Sequence, residues 1–292
     1  MTDSCLDIIP PDWRNWSAST PTVVKPLDGG LTNRSFLLEA GDDLLVLRIN
    51  SAISASLDLN RTAEHQALLR ANNAGICAPL IYCDPQQQYL VTRYLPGGPW
   101  DMGSAGALRR LARLVRSIHA LPDIDAKLDI NAKAANYWQS IDDRADFTPA
   151  LRALAQEVQW HITAAGALSR GARLCHNDLL ITNLIAASGG NLYAIDWEYA
   201  AMGDPFYDLA VIVEEHGLDT AQQQLLLSEY LNEPVAAIDR QRLDHWRVIY
   251  GYLCALWYAV QWSTGAMAEP GIKAKIGNKA RNLSALSSAV RG

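Results

Sequence analysis

The stretch that decides the fold lies in the second half of the chain and reads LCHNDLLITNLI (residues 174–185), SGGN (188–191) and LYAIDWE (192–198). Two apolar segments on either side of a Gly-Gly pair are typical of a β-hairpin. Asn183 and Asp196 lie at equal sequence distances from the centre of the turn, so an antiparallel register predicts that they face each other. The hairpin would then bring an amide oxygen and a carboxylate together at its open end.

This pair of side chains has the chemistry of a divalent-metal site. Mg²⁺ prefers oxygen ligands and takes few of them from the protein when phosphates and waters supply the rest. Asp178 stands five residues before Asn183, in the loop that enters the hairpin, where a carboxylate can accept a proton from an attacking hydroxyl. Taken singly, each residue is more typical of a helix cap or a turn. The combined spacing favours a phosphoryl-transfer site.

The sequence upstream of this hairpin predicts a small sheet with one helix. Short β-rich runs alternate with turn residues such as Gly41-Asp42-Asp43. A helical pattern near 57–73 ends at Gly75, with Leu68 and Leu69 expected on its apolar side. The predicted strands lie at 23–27, 35–39, 44–49, 79–83 and 89–94.

Pro96-Gly97-Gly98-Pro99 interrupts this pattern and predicts a hinge between two lobes, residues 1–95 and 96–292. Beyond the hinge, Leu108, Leu111, Val115 and Ile118 recur at helical spacing. Similar apolar sets occur near 150–168, 221–231 and 242–262. We therefore expect an α+β protein, with an antiparallel N-terminal sheet and a mainly helical second lobe that carries the hairpin.

Composition argues against several classes of function. The 292 residues carry a formal net charge of -6, which disfavours binding to nucleic acid or to anionic membranes. The five cysteines are scattered and form no C-x-x-C pair, a pattern typical of reduced thiols rather than of a zinc site. The N-terminus lacks the pattern of a secretory signal, and no apolar run reaches the ~18 residues that span a bilayer. A cytoplasmic protein without nucleic-acid or membrane partners is expected.

The motifs H-N-D-L-L-I-T-N (176–183) and I-D-W-E (195–198) resemble H-x-D-x-x-x-x-N and I-D-x-E of the choline/ethanolamine kinase, thiamine kinase and aminoglycoside phosphotransferase superfamily. The resemblance covers most of the chain and implies a two-lobed, protein-kinase-like fold. It also implies ATP and Mg²⁺ as cofactors. By this resemblance Asp178 is the catalytic base, and Asn183 and Asp196 are magnesium ligands.

Weaker matches imply a nucleotide site in the first lobe. Residues 27–33 resemble a phosphate-covering loop, in which glycines let backbone N–H groups approach an anion. Arg48 resembles the third-strand basic residue that reaches the α- and β-phosphates, with Glu64 as its helix partner, although an ordinary surface ion pair is the alternative. Residues 93–97 resemble the hinge that reads adenine through exposed amides. The implied nucleotide-binding residues are Gly29, Gly30, Thr32, Asn33, Arg48, Glu64, Arg93, Tyr94 and Leu95.

The catalytic loop departs from that of regulated protein kinases at two points. Asn177 stands where those kinases have the arginine that reads an activation-loop phosphate. The short segment 197–203 leaves no room for an activation loop or a protein-substrate platform. A small-molecule acceptor and no protein substrate are therefore expected. His176, in this loop, and Asp208, in the segment G-D-P-F-Y-D-L-A (203–210), are expected to give the loop structural support.

The acceptor site is expected where aromatic residues concentrate, because a quaternary ammonium is held by aromatic faces and a nearby carboxylate. Tyr250, Trp257 and Tyr258 share one helical face by their spacing, although such a stripe is more often core packing. Resemblance to choline kinases implies Tyr199, Glu215 and Trp257 as the acceptor-binding residues. Cys254 stands where a second cage tryptophan would be expected in those enzymes.

Phosphorylation of a small cationic alcohol, most closely choline, is therefore the predicted activity. Thiamine is the first alternative, since residues 261–265 resemble a late segment of thiamine-kinase-like chains. An aminoglycoside or another small-molecule kinase would favour an acid-lined acceptor pocket. A non-catalytic nucleotide-binding regulator commonly lacks one of the three residues Asp178, Asn183 and Asp196. The identity of the acceptor and the oligomeric state stay open at this point.

Overall fold

The computed structural model describes residues 8–27, 32–51, 56–104, 106–187 and 189–291. Its first part is a five-stranded antiparallel sheet with the strand order β1-β2-β3-β5-β4. The strands of this sheet are β1 (Thr22–Leu27), β2 (Arg34–Ala40), β3 (Asp43–Ile49), β4 (Leu80–Cys83) and β5 (Tyr89–Arg93). The predicted mixed α+β fold with an antiparallel N-terminal sheet is confirmed.

Alternation of apolar side chains explains how β2 and β3 pair. Phe36 lies opposite Leu47, and Leu38 lies opposite Leu45, so one face of the hairpin buries its apolar residues against a small core. Gly41 begins the two-residue turn at φ +64°, a conformation that costs glycine little. The turn that the sequence predicted here fixes the register of the strand that carries Arg48.

Helix α1 (Arg61–Ala74) packs between the sheet and the helical part of the chain. The side chain of Asn60 caps its start by accepting from the amide of Ala63, and Gly75 ends it at φ +67°. Leu68 is buried, but Leu69 is 41% exposed. The expectation for Leu69 was wrong because the buried positions follow Ala67 and Leu68 at helical spacing, which places Leu69 on the outer face.

The rest of the chain is mainly helical, as predicted. Leu108, Leu111, Val115 and Ile118 are all buried along one helix. Three helices, α3, α5 and α8, were not identified from the sequence. The helices after α1 are α2 (Ala107–His119), α3 (Ile130–Ser140), α4 (Thr148–Ala167), α5 (Phe206–Glu215), α6 (Thr220–Leu231), α7 (Ala237–Ser263) and α8 (Ile272–Arg291).

The segment between the two parts, where a hinge is predicted, contains a short strand that pairs with the hairpin. Strand β6 (Gly97–Pro99) pairs with β8 (Leu184–Ala187), which in turn pairs with β9 (Leu192–Ala194). A Cβ atom at Gly97 would lie 2.7 Å from the carbonyl oxygen of Ala186, so only glycine permits this approach. The connecting segment is therefore held against the hairpin.

The hairpin itself differs from the prediction by one residue. Leu184 pairs with Ala194, and the amide of Ile195 donates to the carbonyl of Asn183 at 2.9 Å. Asn183 thus lies opposite Ile195, and Asp196 follows one position later. The register differs from the predicted one because the pairing is centred on Gly189 rather than between the two turn glycines.

The segment just before the catalytic loop belongs to a different pair of strands. Strand β7 (Arg173–Cys175) pairs with β10 (Ala201–Gly203) and not with the hairpin. The catalytic loop therefore begins at the β7–β10 pair and ends at the hairpin, and this fixes both of its ends. None of the helices within the described ranges has the length and hydropathy needed to cross a bilayer.

Candidate active site

The predicted catalytic residues and the predicted acceptor residues line one cavity of about 350 Å³. Asp178, Asn183 and Asp196 line it together with Thr32 from the first part of the chain, and this group is called its catalytic end. The aromatic part of the lining, called its aromatic end, comes from α3, the segment after β9, α5 and α7. The aromatic residues that line it are Tyr137, Tyr199, Tyr207, Tyr250, Trp257 and Tyr258.

Asp208 stabilises the catalytic loop through hydrogen bonds to its backbone. Its fully buried carboxylate accepts from the amides of His176 at 2.9 Å and Asn177 at 2.6 Å. His119 of α2 bonds to the same carboxylate at 2.9 Å through Nε2. These contacts stabilise Asn177 in the left-handed conformation at φ +64°, which a non-glycine residue adopts only when its surroundings enforce it.

His176 braces the loop rather than exchanging protons. Its ring packs on Trp197 with the centroids 4.7 Å apart, and its Nε2 donates to the carbonyl oxygen of Ile195 at 3.1 Å. Burial lowers the pKa of His176 to about 4, because the charged ring would lose its hydration. Through these contacts the neutral ring links the motif 176–183 to the motif 195–198.

Asp178 is oriented by Asn183. The Asn183 Nδ2 group donates to the carbonyl oxygen of Asp178 at 2.9 Å and to its Oδ2 at 2.8 Å. Burial is the largest cause of a pKa of Asp178 well above its usual value, and the nearby charges of Asp196 and Glu198 raise it further. Such a carboxylate has a strong tendency to take up a proton, as a general base requires.

The donor set beside Asp178 fits a magnesium ion. Because the Asn183 amide nitrogen is occupied by Asp178, its carbonyl oxygen is left as the ligand atom. Asp196 lines the same cavity and has the left-handed backbone conformation, with φ at +64°. A carboxylate and an amide oxygen are hard ligands of the kind that Mg²⁺ selects.

Arg48 joins the sheet to this donor set. Its guanidinium contacts Glu64 Oε1 at 2.5 Å and Asp196 Oδ1 at 2.8 Å. Arg48 and Glu64 are both buried, so the pair is not an ordinary surface contact. Burial alone would lower the pKa of Arg48, but the charges of Glu64, Asp196 and Glu198 together raise it above its usual value. Its positive charge is therefore permanent.

A second arginine, Arg61, which was not predicted from the sequence, extends this network with a side chain that is 8% exposed. Arg61 Nη1 lies 2.8 Å from Glu64 Oε2 and 2.9 Å from Glu198 Oε2. Glu198 also accepts from Asn33 Nδ2 at 2.6 Å. Burial, followed by the charge of Asp196, raises the pKa of Glu198 to about 7. Two features of the sequence pointed to Arg61 and Glu198. Arg61 precedes Glu64 by three positions on α1, and Glu198 is the acid of I-D-W-E.

The remaining predicted nucleotide-binding residues differ in whether their polar groups are open to a phosphate. Gly29 and Gly30 lie outside the described residues. Asn33 is not open to a phosphate, because its amide group is bonded to Glu198 and Arg61.

The adenine-reading segment also differs from its prediction. The amide of Arg93 donates to Pro79 O and that of Tyr94 to Leu44 O, while the Arg93 side chain pairs with Asp43. Those two amides were expected to be exposed, but the sheet uses them. Within the described part of the chain, the amide of Leu95 has no hydrogen-bond partner and is the one of the three still available.

The predicted acceptor residues lie together at the aromatic end of the cavity. Trp257 Nε1 donates to the hydroxyl of Tyr199 at 2.9 Å, and the Tyr250 hydroxyl donates to Glu215 Oε1 at 2.6 Å. Cys254 lines the wall beside them, with Sγ 3.9 Å from Glu215. The aromatic face of α7 therefore lines a cavity rather than only the core.

Lys133 of α3 is an unexpected cation in this wall. Its ammonium lies 5.2 Å from the ring centroids of both Tyr137 and Tyr199. It donates to the carboxylate of Asp58 at 3.3 Å and to the carbonyl of Leu57 at 3.5 Å. Burial lowers the pKa of Lys133. No motif marks this residue, because its role depends on where α3 packs.

Comparison with known proteins agrees with this geometry. The model of the phosphotransferase enzyme family matches residues 23–248. The chain belongs to this phosphotransferase family. It is 29% identical over 221 residues to Protein LicA of Haemophilus influenzae, covering 70% of this chain and 62% of that protein. It is 27% identical over 215 residues to ethanolamine kinase 2 of Mus musculus, covering 68% of this chain and 54% of that protein.

The fold is shared with a solved structure. The structure of choline kinase LicA from Streptococcus pneumoniae superimposes with a TM-score of 0.77 at 21% identity, covering 91% of this chain and 95% of that chain. The two-lobed, protein-kinase-like architecture is thereby confirmed. The chain spans less than two thirds of the length of the two sequence relatives named above.

Proposed function

We propose that this phosphotransferase transfers the γ-phosphoryl group of ATP to the hydroxyl of choline or a closely similar cationic alcohol. The observation that carries the proposal is one cavity whose two ends differ in chemistry. A carboxylate with a raised pKa lies at one end, and aromatic rings with Glu215 lie at the other. A small alcohol with a cationic tail can reach both at once.

In this proposal Asp178 orients the acceptor hydroxyl and accepts its proton as the oxygen attacks the γ-phosphorus. The Asn183 amide group keeps the carboxylate in place. Phosphoryl transfer needs little covalent chemistry from the protein, so positioning and electrostatic stabilisation account for most of the rate. Asp208, which lies beneath the loop, would contribute by holding this geometry rather than by contacting substrate.

Asn183 and Asp196 would hold magnesium, and Arg48 would neutralise phosphate charge. When bound, Mg²⁺ neutralises charge on the β- and γ-phosphates. Arg48 contacts Asp196 in this structure, so it already lies beside the position that the phosphates would occupy. Glu64 fixes the guanidinium from the opposite side.

The acceptor tail would bind between the aromatic rings and Glu215. Each cation–π contact contributes roughly 0.5–2 kcal/mol. A quaternary ammonium has no N–H group to donate, so it gains nothing from the hydrogen-bond acceptors of a more polar site. The solved choline kinase with this fold and the curated ethanolamine kinase relative support an amino-alcohol acceptor. Trp262, from the segment that resembles thiamine kinases, packs on Phe147 and does not line the cavity, so the structure offers no added support for thiamine.

A coupled assay of ADP release with choline, ethanolamine, thiamine, homoserine and an aminoglycoside tests this proposal. We expect magnesium-dependent turnover, with the highest kcat/KM for choline. Preferred turnover of the aminoglycoside would contradict the acceptor assignment. ATP binding without turnover of any acceptor would contradict the enzyme assignment and favour a regulatory nucleotide-binding protein.

A further inference from the structure

A second cavity, of about 550 Å³, lies away from the active site. It shares no lining residue with the acceptor cavity within the described part of the chain. Its walls come from the end of α2, the segment before β7, the start of α5, the end of α6 and α7. Four arginines and one histidine line it, and no carboxylate does. These basic residues are Arg116, His119, Arg170, Arg173 and Arg242.

Two of the four arginines form ion pairs with acidic residues that do not line the cavity. Arg242 is buried, with Nη2 2.6 Å from Asp204 Oδ1. Arg170 lies 3.0 Å from Asp239 and 3.7 Å from Glu233. These pairs fix the guanidinium groups in place.

The other two arginines have no acidic partner among the described residues. Arg116 is half-buried, and its Nη1 atom is buried without a hydrogen-bond partner. Arg173 bonds only to the backbone carbonyl of Ala172, at 3.1 Å. The Nε atom of the buried Arg242 is likewise without a partner. Arg173 is exposed and Arg116 is half-buried, so an anion in the cavity can approach both side chains.

Guanidinium groups suit one anion class in particular. Their planar N–H donors match the oxygens of phosphate groups, and they lose hydration more readily than ammonium groups do. The rest of the lining is apolar or aromatic and consists of Ala120, Gly171, Pro205, Phe206, Tyr230 and Leu231. The Arg242 guanidinium lies 4.1 Å from the centroid of the Phe206 ring. An anion with an organic body would contact both the arginines and this apolar surface, whereas a bare ion would contact only the arginines.

The geometry points to this cavity as a binding site for the phosphate group of a small organic phosphate monoester. The phosphate would lie between Arg116 and Arg173, where positive charge is uncompensated. The organic part would contact Phe206 and Tyr230. The lining residues of this cavity lie outside the acceptor cavity, and one of them, His119, also contacts Asp208 next to the catalytic loop.

Isothermal titration calorimetry at constant ionic strength tests the site, with phenyl phosphate, inorganic phosphate and phenol as probes. We expect saturable binding of phenyl phosphate and none of phenol. The double variant Arg116→Met/Arg173→Met should bind phenyl phosphate at least tenfold more weakly. Arg113→Met, an exposed arginine on the same helix outside the cavity, should bind it as the natural chain does.

The two phosphate probes distinguish the source of the anion. Tighter binding of phenyl phosphate assigns the site to an ester, and equal affinities assign it to phosphate itself. Binding that is unchanged in the double variant would place the anion in the active-site cleft and overturn the proposal. So would the absence of saturable binding of either phosphate probe.

A second measurement needs no variant and keeps the proposal testable if the double variant does not fold. Phenylglyoxal modifies accessible arginines, and mass spectrometry locates the modified sites. Phenyl phosphate should protect Arg116 and Arg173 of the natural chain. Protection confined to Arg48 or Arg61 of the active-site network would contradict the proposal.

Discussion

The two ends of the active-site cavity are built by different means. At the phosphate end, Arg48, Arg61, Glu64 and Glu198 form a buried network of short ion pairs. At the acceptor end, aromatic rings from several helices surround a single carboxylate, Glu215, which the Tyr250 hydroxyl already contacts. The first end stabilises charge through side chains of opposite charge, and the second would stabilise it through the faces of aromatic rings.

This difference has a consequence for mutations. Removing one partner of a buried ion pair leaves an uncompensated charge, which costs about 3–5 kcal/mol. Removing one aromatic face costs about 0.5–2 kcal/mol. Changes in the ion-pair network should therefore lower the free energy of unfolding by about 3–5 kcal/mol, whereas changes at the acceptor end should weaken binding in small steps.

The largest effect is expected for Asp178→Ala. Loss of the base should lower kcat by about 10²–10⁴-fold, while ATP affinity stays within about twofold, because Asp178 is not a proposed nucleotide contact. Steady-state kinetics and calorimetric ATP titration measure the two quantities. Asp146→Ala, a change at an exposed aspartate outside the cavity, serves as the control. Turnover retained in Asp178→Ala would contradict the assignment of the base.

Asp196→Asn should separate metal binding from nucleotide binding. The variant removes a charged oxygen ligand and the acidic partner of Arg48 at 2.8 Å. We expect the gain in ATP affinity that Mg²⁺ provides to disappear, with affinity in the presence of EDTA little changed. Calorimetry with and without Mg²⁺ measures both. A magnesium-dependent gain equal to that of the natural chain would show that the metal binds elsewhere.

Trp257→Leu probes the aromatic end and should act on KM rather than on kcat. Loss of one cation–π face should raise KM for choline by about 2- to 30-fold. Trp257→Phe retains an aromatic face and should recover most of the affinity, although it loses the hydrogen bond to Tyr199. A Leu variant with an unchanged KM would exclude Trp257 from the acceptor site.

The smallest effect is a shift in pH dependence. Asp178 must be ionised to act as the base, so activity should fall as the pH decreases through its raised pKa. The charge of Glu198 is one cause of that raised pKa. Glu198→Gln should therefore move the acid limb of kcat/KM to lower pH, by less than about one unit. A shift to higher pH would contradict the electrostatic account.

Much of the catalytic end could be predicted from sequence because its residues are close together in the chain. Asp178, Asn183 and Asp196 fall within one loop and one hairpin, so local pairing brings them near one another. The one-residue error in register shows the limit of this reasoning, since the turn centre depends on how Gly189 and Gly190 fold. The metal and base roles of these residues stay predictions.

The acceptor end and the inter-lobe network depend on packing that no local pattern encodes. Lys133, Tyr137 and Tyr207 reach the cavity only because α3 and α5 pack beside α7. The contacts of Asn33 and Arg93 could not be predicted for a similar reason, since their partners lie far away in the sequence. Long-range contacts of this kind follow from the whole fold.

The central claim is that the aromatic end selects a cation, and one comparison tests it most directly. 3,3-Dimethylbutan-1-ol has the shape of choline but carries carbon in place of the charged nitrogen. With ATP and Mg²⁺ present, we predict a kcat/KM for choline at least about fivefold above that of the neutral alcohol, since two cation–π contacts contribute roughly 1–4 kcal/mol. Equal values for the two alcohols would contradict the account.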